Sequence, residues 1–285
     1  MVMMTAHRNS GFTLLEISIV LVLIGVVTAG GLVILGSSLQ KGQNDATVAK
    51  MQVIEKALLN YRIAFNRLPC PGGLTILPPT PSTSSIDYGQ EAGVDTANAV
   101  GAGECKNSIT PQADFEANSV AEGAVPTRAL QLPDSFMYDG WGRRFRYAVD
   151  ITMTKTGSFV TYPVKPTSCP PHGAITVEDY TLASITTKAI YLLLSHGANG
   201  HGAYTQSGAN INANLAALNT PELTNCHCTT AGAPGVYLPT YVQQIPSYLT
   251  GHAGDATYFA DDIVTFKERF QMLAPNEPSA SPTCP

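Results

Sequence analysis

The most pronounced feature of the chain is a long apolar stretch close to its N-terminus. Between Phe12 and Gln40 the single charged residue is Glu16, and the 19 residues from Ile17 to Leu35 carry no charge at all. At about 1.5 Å of helical rise per residue, such a stretch covers a hydrocarbon core of roughly 30 Å. The pattern therefore predicts one membrane-spanning helix over residues 12–39. Because Arg8 precedes it, we expect a cytoplasmic N-terminus and an exported remainder.

The pattern then becomes amphipathic. Apolar residues recur at spacings of three and four, as one face of a helix requires, at Val48, Met51, Ile54, Leu58, Tyr61 and Phe65. Pro69 and Pro71 follow and end the periodic segment. We expect a helix from about Thr13 to Phe65, whose second half, over 40–65, packs on a globular head.

The remaining residues, 66–285, are predicted to form that head, which is rich in loops. Residues 75–125 and 206–235 are dominated by small and polar residues together with glycine and proline, so both are expected to be irregular. Strands are predicted over 144–153, 189–194 and 263–266. The expected class is α+β, with a long N-terminal helix packed on an antiparallel sheet.

Composition narrows the range of functions. Hydrophobic residues make up 44% of the chain, which excludes a disordered protein, and charged residues only 13%. The net charge is -5, and no basic stripe of the kind that binds nucleic acid is present. No catalytic motif is found either: the sequence lacks the nucleophile elbow, the zinc-protease helix and the phosphate-binding loop. We therefore expect no enzyme and no nucleic-acid partner.

A glutamate inside an apolar run is costly and needs an explanation. The segment Gly11–Glu16 (GFTLLE), followed by ISIVLVLIG, resembles the N-terminal signature of type IV pilins and type II secretion pseudopilins. The resemblance implies a leader peptide over 1–11, cleavage between Gly11 and Phe12 by a prepilin peptidase, and methylation of Phe12. It also implies that Glu16 pairs with the new N-terminal amine during fibre assembly.

Further along, three stretches resemble elements of the head of major pseudopilins. They are Asp139–Tyr147 (DGWGRRFRY), Tyr191–Gly200 (YLLLSHGANG) and Asp261–Val264 (DDIV). In that family the corresponding loop holds calcium, which implies oxygen ligands from Ser195, Asn199, Asp261 and Asp262. The alternative for these residues is a capped turn beside a solvated acidic pair.

Six cysteines follow the apolar segment, at positions 70, 105, 169, 226, 228 and 284. In an exported head they would meet an oxidising compartment, where an even number favours disulfides. Six cysteines allow 15 pairings. We expect Cys70 to pair with Cys105, since this bond would close the loop-rich insertion.

Together these features predict a structural subunit of a type IV pilus or a type II secretion pseudopilus. The expected partners are the prepilin peptidase, other pilin or pseudopilin subunits and an inner-membrane assembly platform. The expected location is the inner membrane, crossed once with the head in the periplasm, and then the fibre. The alternative is an exported or membrane-anchored binding protein or hydrolase, whose signal peptide would be cut after Val27-Thr28-Ala29.

Overall fold

A computed structural model describes residues 14–80, 86–91, 105, 120–159, 173–211, 220–227, 239–243, 247–248 and 259–272. Of these, 27–38, 220, 247–248 and 259–260 are described by their backbone alone. The chain divides into two compact units, Met1–Gly42 and Gln43–Pro285. The predicted leader over 1–11 lies outside the described residues.

The N-terminal helix, α1, runs over Leu14–Phe65. In the first unit, every described side chain from Leu14 to Val26 is exposed. A membrane-spanning helix was predicted over 12–39. Within the described part of the chain, no helix combines the length and the apolarity needed to cross a membrane.

In the second unit, the predicted helical stripe forms the contact with the head. Met51, Ile54, Leu58 and Tyr61 are buried. The prediction is wrong at the two ends of the stripe, because Val48 and Phe65 are 38% and 52% exposed. The helix ends where Asn66 adopts a left-handed φ of 53° and its amide donates to the carbonyl oxygen of Arg62.

The head is built on a six-stranded sheet in the order β1-β2-β4-β3-β5, with β8 beside β4. Its strands are β1 (Val120–Ala124), β2 (Arg146–Asp150), β3 (Ile175–Glu178), β4 (Ser184–Ser195), β5 (Thr240–Val242) and β8 (Ile263–Glu268). A separate pair is formed by β6 (Ser247–Tyr248) and β7 (Phe259–Ala260). A short helix, α2, spans Thr220–Cys226.

Strand β4 is the centre of the sheet. Its first half pairs with β3, and its second half lies between β2 and β8, with Leu194 opposite both Arg146 and Val264. Residues alternate between the two faces of a strand. Tyr191 and Leu193 accordingly pack in the core cluster that contains α1, whereas Leu192 and Leu194 pack in the cluster on the other face.

The structure confirms the α+β class but corrects the expectation of an antiparallel sheet. Strand β5 pairs with β3 in parallel, with Thr176 opposite Thr240, so the sheet is mixed. Strand β5 enters the sheet about 60 residues after β3, and a local pattern carries no information on which edge such a strand joins.

Both predicted irregular stretches contain regular elements. The segment 75–125 ends in β1, and 206–235 contains α2. The strand predicted over 144–153 stops at Asp150, whose carboxylate accepts a hydrogen bond from the amide of Thr152 and begins a 3-10 turn there. The predicted disulfide is confirmed, since Cys70 is bonded to Cys105. Cys226 is disulfide-bonded as well.

Candidate functional site

The first candidate site is the start of α1. Gly11 and Phe12, the predicted cleavage and methylation residues, lie outside the described residues. Glu16 is placed in the first turn of α1, where the partial positive charge of a helix N-terminus favours a carboxylate. Ser18, two residues on, donates its hydroxyl to the Leu15 carbonyl oxygen at 2.8 Å. Its polar group is therefore satisfied within the helix.

The described helix surface around Glu16, from Leu14 to Val26, is apolar apart from Glu16 and Ser18. The exposed fraction is 90% for Leu14, 63% for Leu21 and 67% for Val26. Burying a single side chain of this size is worth about 1.5–3 kcal/mol relative to leaving it in water. A soluble protein rarely leaves so large a continuous apolar surface in water, and such a surface marks a site of contact with another protein or a membrane.

The second candidate site lies in the head, where the segment DGWGRR turns into β2. The carboxylate of Asp139 organises this turn: Oδ1 accepts the amides of Trp141 and Arg143, each at 2.9 Å. Its Oδ2 accepts the Ser195 hydroxyl at 2.7 Å. Burial raises the pKa of Asp139, and these three donors act against that rise.

A second turn, 196–200, packs against the first. The guanidinium of Arg143 donates to the carbonyl oxygens of Gly197 and Ala198, the latter at 2.8 Å. Gly197 has a φ of 52°, and a Cβ there would lie 2.2 Å from the Asp261 carbonyl oxygen. Only glycine fits this close approach.

The residues around Asn199 form a buried acidic cluster. The Asn199 amide donates to Asp261 Oδ2 at 2.7 Å, and its side-chain Nδ2 donates to Glu222 Oε1 at 2.6 Å. Asp261, Asp262 and Glu222 are each at most 3% exposed. Burial, together with the charge of Asp262, raises the pKa of both Asp261 and Glu222 above the usual carboxyl range.

Asp262 has partners of its own. Its Oδ2 accepts the Asn225 side-chain amide at 3.0 Å, and its Oδ1 lies 3.6 Å from Nδ1 of the buried His196. Burial lowers the pKa of His196, and Asp262 acts in the opposite direction.

These contacts show the surroundings of the calcium ligands that the resemblance implies. Asn199 and Asp261 come together, but Ser195 donates to Asp139 instead, and Asn199 Oδ1 accepts the His201 amide. Among the described residues, no group of three or more His, Cys, Asp or Glu side chains is arranged to hold a metal ion. Calcium binding stays a prediction, which a shift of the unfolding midpoint on adding calcium would test.

Two buried features of the head were not predicted from the sequence. One is Glu222, which α2 carries into the acidic cluster. A proline in the first turn, directly before an acidic residue, is a helix-start signal that could have revealed α2. It is present as Thr220-Pro221-Glu222.

The other is an ion pair between β1 and β2: Arg146 Nη1 lies 2.6 Å from Glu122 Oε1. Glu122 Oε2 also accepts the Tyr241 hydroxyl at 2.8 Å and lies 3.1 Å from Nδ1 of His227. Burial alone would raise the pKa of Glu122, but Arg146 and His227 lower it below the usual carboxyl range. No local sequence signal pairs these distant residues.

Comparison with known proteins bears on the first of the two sites. A model of the prokaryotic N-terminal methylation motif matches residues 6–32. The chain carries this methylation motif. It is the signature of type IV pilins and pseudopilins, and it covers Gly11, Phe12, Glu16 and the exposed apolar surface that follows. The motif indicates a structural protein rather than an enzyme.

The family model does not extend over the rest of the chain. No curated protein and no solved structure matches the chain. The methylation motif supports a type IV pilin-like or pseudopilin precursor.

Proposed function

We propose that this chain is the precursor of a structural subunit of a type IV pilus or a type II secretion pseudopilus. The observation that carries the proposal is the methylation motif over residues 6–32. A prepilin peptidase cleaves between Gly11 and Phe12 and methylates Phe12. The chain is held in the inner membrane before assembly, with its head in the periplasm.

The chemistry of cleavage explains why Glu16 stands in an apolar stretch. Cutting after Gly11 creates a cationic amine on Phe12, four residues and about one helical turn before Glu16. A carboxylate in a low-dielectric environment needs such a charged partner. The amine of the same or of a neighbouring subunit supplies it, and the pair sets the position of each subunit along the fibre.

The exposed helix surface supplies the energy of assembly. Side chains from Leu14 to Val26 are exposed in the single chain, and packing them among the same helices of neighbouring subunits removes them from water. The partners are accordingly other pilin or pseudopilin subunits and the inner-membrane platform that adds them to the fibre.

The proposal is tested by expressing the full chain with a prepilin peptidase and an assembly platform, and by quantifying it in the sheared fibre fraction. We expect the parent chain in fibres and a decrease of about tenfold for Glu16→Ala, which corresponds to about 1.4 kcal/mol of lost assembly energy. Ser18→Ala is the matched control. Its hydroxyl bonds within its own helix, so its fibre level should equal that of the parent.

Two results would contradict the proposal. One is a parent chain that is processed elsewhere than after Gly11 and never enters fibres. The other is a Glu16→Ala variant that assembles at the parent level.

A further inference from the structure

The turn between β3 and β4 is held by hydrogen bonds to one aspartate. We define the β3–β4 tip as residues Asp179–Ile185. Asp179 Oδ1 accepts the amides of Thr181 and Ala183 at 2.8 and 3.1 Å and the Thr181 hydroxyl at 2.6 Å. Its own amide donates to the Ala183 carbonyl oxygen at 2.9 Å. One side chain thus fixes the whole turn.

This turn displays apolar side chains. Tyr180, Leu182 and Ile185 are 59%, 46% and 47% exposed. Leu182 has a φ of 64°, a conformation that costs a leucine energy and that glycine or asparagine adopts more easily. Leu182 thus combines a strained backbone conformation with a half-exposed side chain, which indicates a role in contacting another surface.

An apolar groove that could receive these side chains lies elsewhere on the head. It has a volume of about 410 Å³ and lies between α1 and the segment 129–132. We call it the α1 groove; its lining residues include Val53, Lys56, Ala57, Tyr61 and Ala64. Ala57 and Tyr61 are buried, whereas Val53 is 41% exposed.

We propose that the β3–β4 tip of one copy inserts into the α1 groove of the next copy, an inference that rests on the proposed function. Because Tyr180 is exposed in its own chain, the tip does not fill the groove of the same molecule. A contact between two different surfaces of identical chains is heterologous, and its repetition builds a filament rather than a closed dimer.

Charge complementarity supports a second copy as the occupant. Among the residues that line the groove, Lys56 is the one with a charged side chain. The tip brings two acidic residues, Glu178 at its base and Asp179 within it. Hydrogen bonds from Thr181 and Ala183 lower the pKa of Asp179 and keep it ionised. Insertion therefore places an aromatic anchor in an apolar groove, with opposite charges at the rim.

The test is site-specific cross-linking in fibres of the full chain. Two differently tagged copies are co-expressed, one carrying Tyr180→Cys and the other Ala64→Cys, and oxidised after assembly. We expect a cross-linked dimer of the two tagged copies in the mixture and none when either variant is expressed alone. Ser207→Cys, an exposed position on another turn, replaces Tyr180→Cys as the control and should give no product with Ala64→Cys.

A second variant separates docking from folding. Leu182→Gly removes the apolar side chain at a φ that glycine adopts without strain, so the unfolding midpoint should stay the same or rise. We expect about tenfold less protein in the fibre fraction. The second-copy proposal is overturned by parent-level assembly of Leu182→Gly, by cross-linking between two Tyr180→Cys copies, or by cross-linking of Tyr180→Cys to a different protein. If the parent chain forms no fibres at all, both the second-copy proposal and the proposed function fail.

Discussion

The two ends of α1 present a direct contrast within one helix. Near the start, apolar side chains such as Leu21 and Val22 are 63% and 65% exposed. Near the end, Ile54 and Leu58 are completely buried against the head. The side chains named are apolar and helical in both regions, and they differ in how much of their surface the described part of the chain covers.

Under the proposed function, this difference separates folding from assembly along the helix. The C-terminal region has an amphipathic pattern and packs on the sheet of its own head, so it contributes to the stability of a single chain. The described N-terminal region is apolar apart from Glu16 and Ser18 and is exposed, and the proposed function assigns its burial to neighbouring subunits. Substitutions in the two regions should therefore be detected by different experiments.

The largest effect on stability is expected for Leu58→Ala. Removing a fully buried leucine leaves a cavity in the core, which costs about 2–5 kcal/mol of unfolding free energy. The measurement is denaturant unfolding of the full chain in mild detergent. The fluorescence of Trp141, the one tryptophan of the sequence, reports on the head.

Leu21→Ala is the matched substitution in the N-terminal region. Because Leu21 is exposed, its removal should change the unfolding free energy of the head by less than about 0.5 kcal/mol and should instead lower the amount of fibre. Equal losses of head stability in the two variants would contradict the separation of folding from assembly.

The next effect concerns the place where α1 meets the head. Gly140 is packed so closely that a Cβ would lie 2.1 Å from the Gln43 carbonyl oxygen, and its amide donates to the Thr47 hydroxyl at 2.9 Å. We expect Gly140→Ala to destabilise the head by about 1–3 kcal/mol, because the backbone must move apart.

Gly42→Ala provides the control for this prediction. Gly42 lies within α1, and a Cβ at this position would meet nothing within 4 Å. The substitution should stabilise the helix slightly, by up to about 1 kcal/mol. The close packing of Gly140 on α1 is contradicted if the same denaturation experiment shows that both glycine variants change the unfolding free energy in the same direction.

The last prediction concerns the pH dependence of the head, which arises from the acidic cluster. Burial raises the pKa of Glu222 to about 8 and that of Asp261 to about 7, whereas both groups titrate near 4 in an unfolded chain. At pH values between about 4 and 8, the folded state therefore binds more protons than the unfolded state. Stability should therefore fall as the pH rises from about 4 to 8.

Glu222→Gln sharpens this prediction. The variant has one titrating carboxyl fewer in the cluster, so its unfolding free energy should depend less on pH and should exceed that of the parent near pH 8. A full pH series by denaturant unfolding, with a chelator present throughout, makes the comparison. An unchanged slope in the variant would show that Glu222 is already ionised in the folded head.

The features predicted correctly from the sequence have local physical causes. The helix follows from the spacing of Met51, Ile54, Leu58 and Tyr61, and its end from the prolines beyond Phe65. The central strand follows from an unbroken apolar run that ends in Leu194. Each of these signals lies within a few residues of the element that it predicts.

The features that were missed depend on contacts between distant parts of the chain. Strand β1 reads VAEGA, and its buried Glu122 is tolerated because Arg146 of β2 neutralises it. The parallel partner of β3 enters from far along the chain. At the acidic cluster, Asn199 and Asp261 were predicted to meet, but the hydrogen bonds that draw Ser195 to Asp139 and bring in Glu222 appear only in three dimensions.

The central claim is that the chain is a prepilin-type precursor, and the intact mass of the mature protein tests it most directly. After co-expression with a prepilin peptidase, the account predicts the loss of Met1–Gly11 and a gain of about 14 Da from one methyl group on Phe12. A mature protein that begins at Gly30, or an unprocessed chain that keeps Met1 under the same conditions, would contradict it.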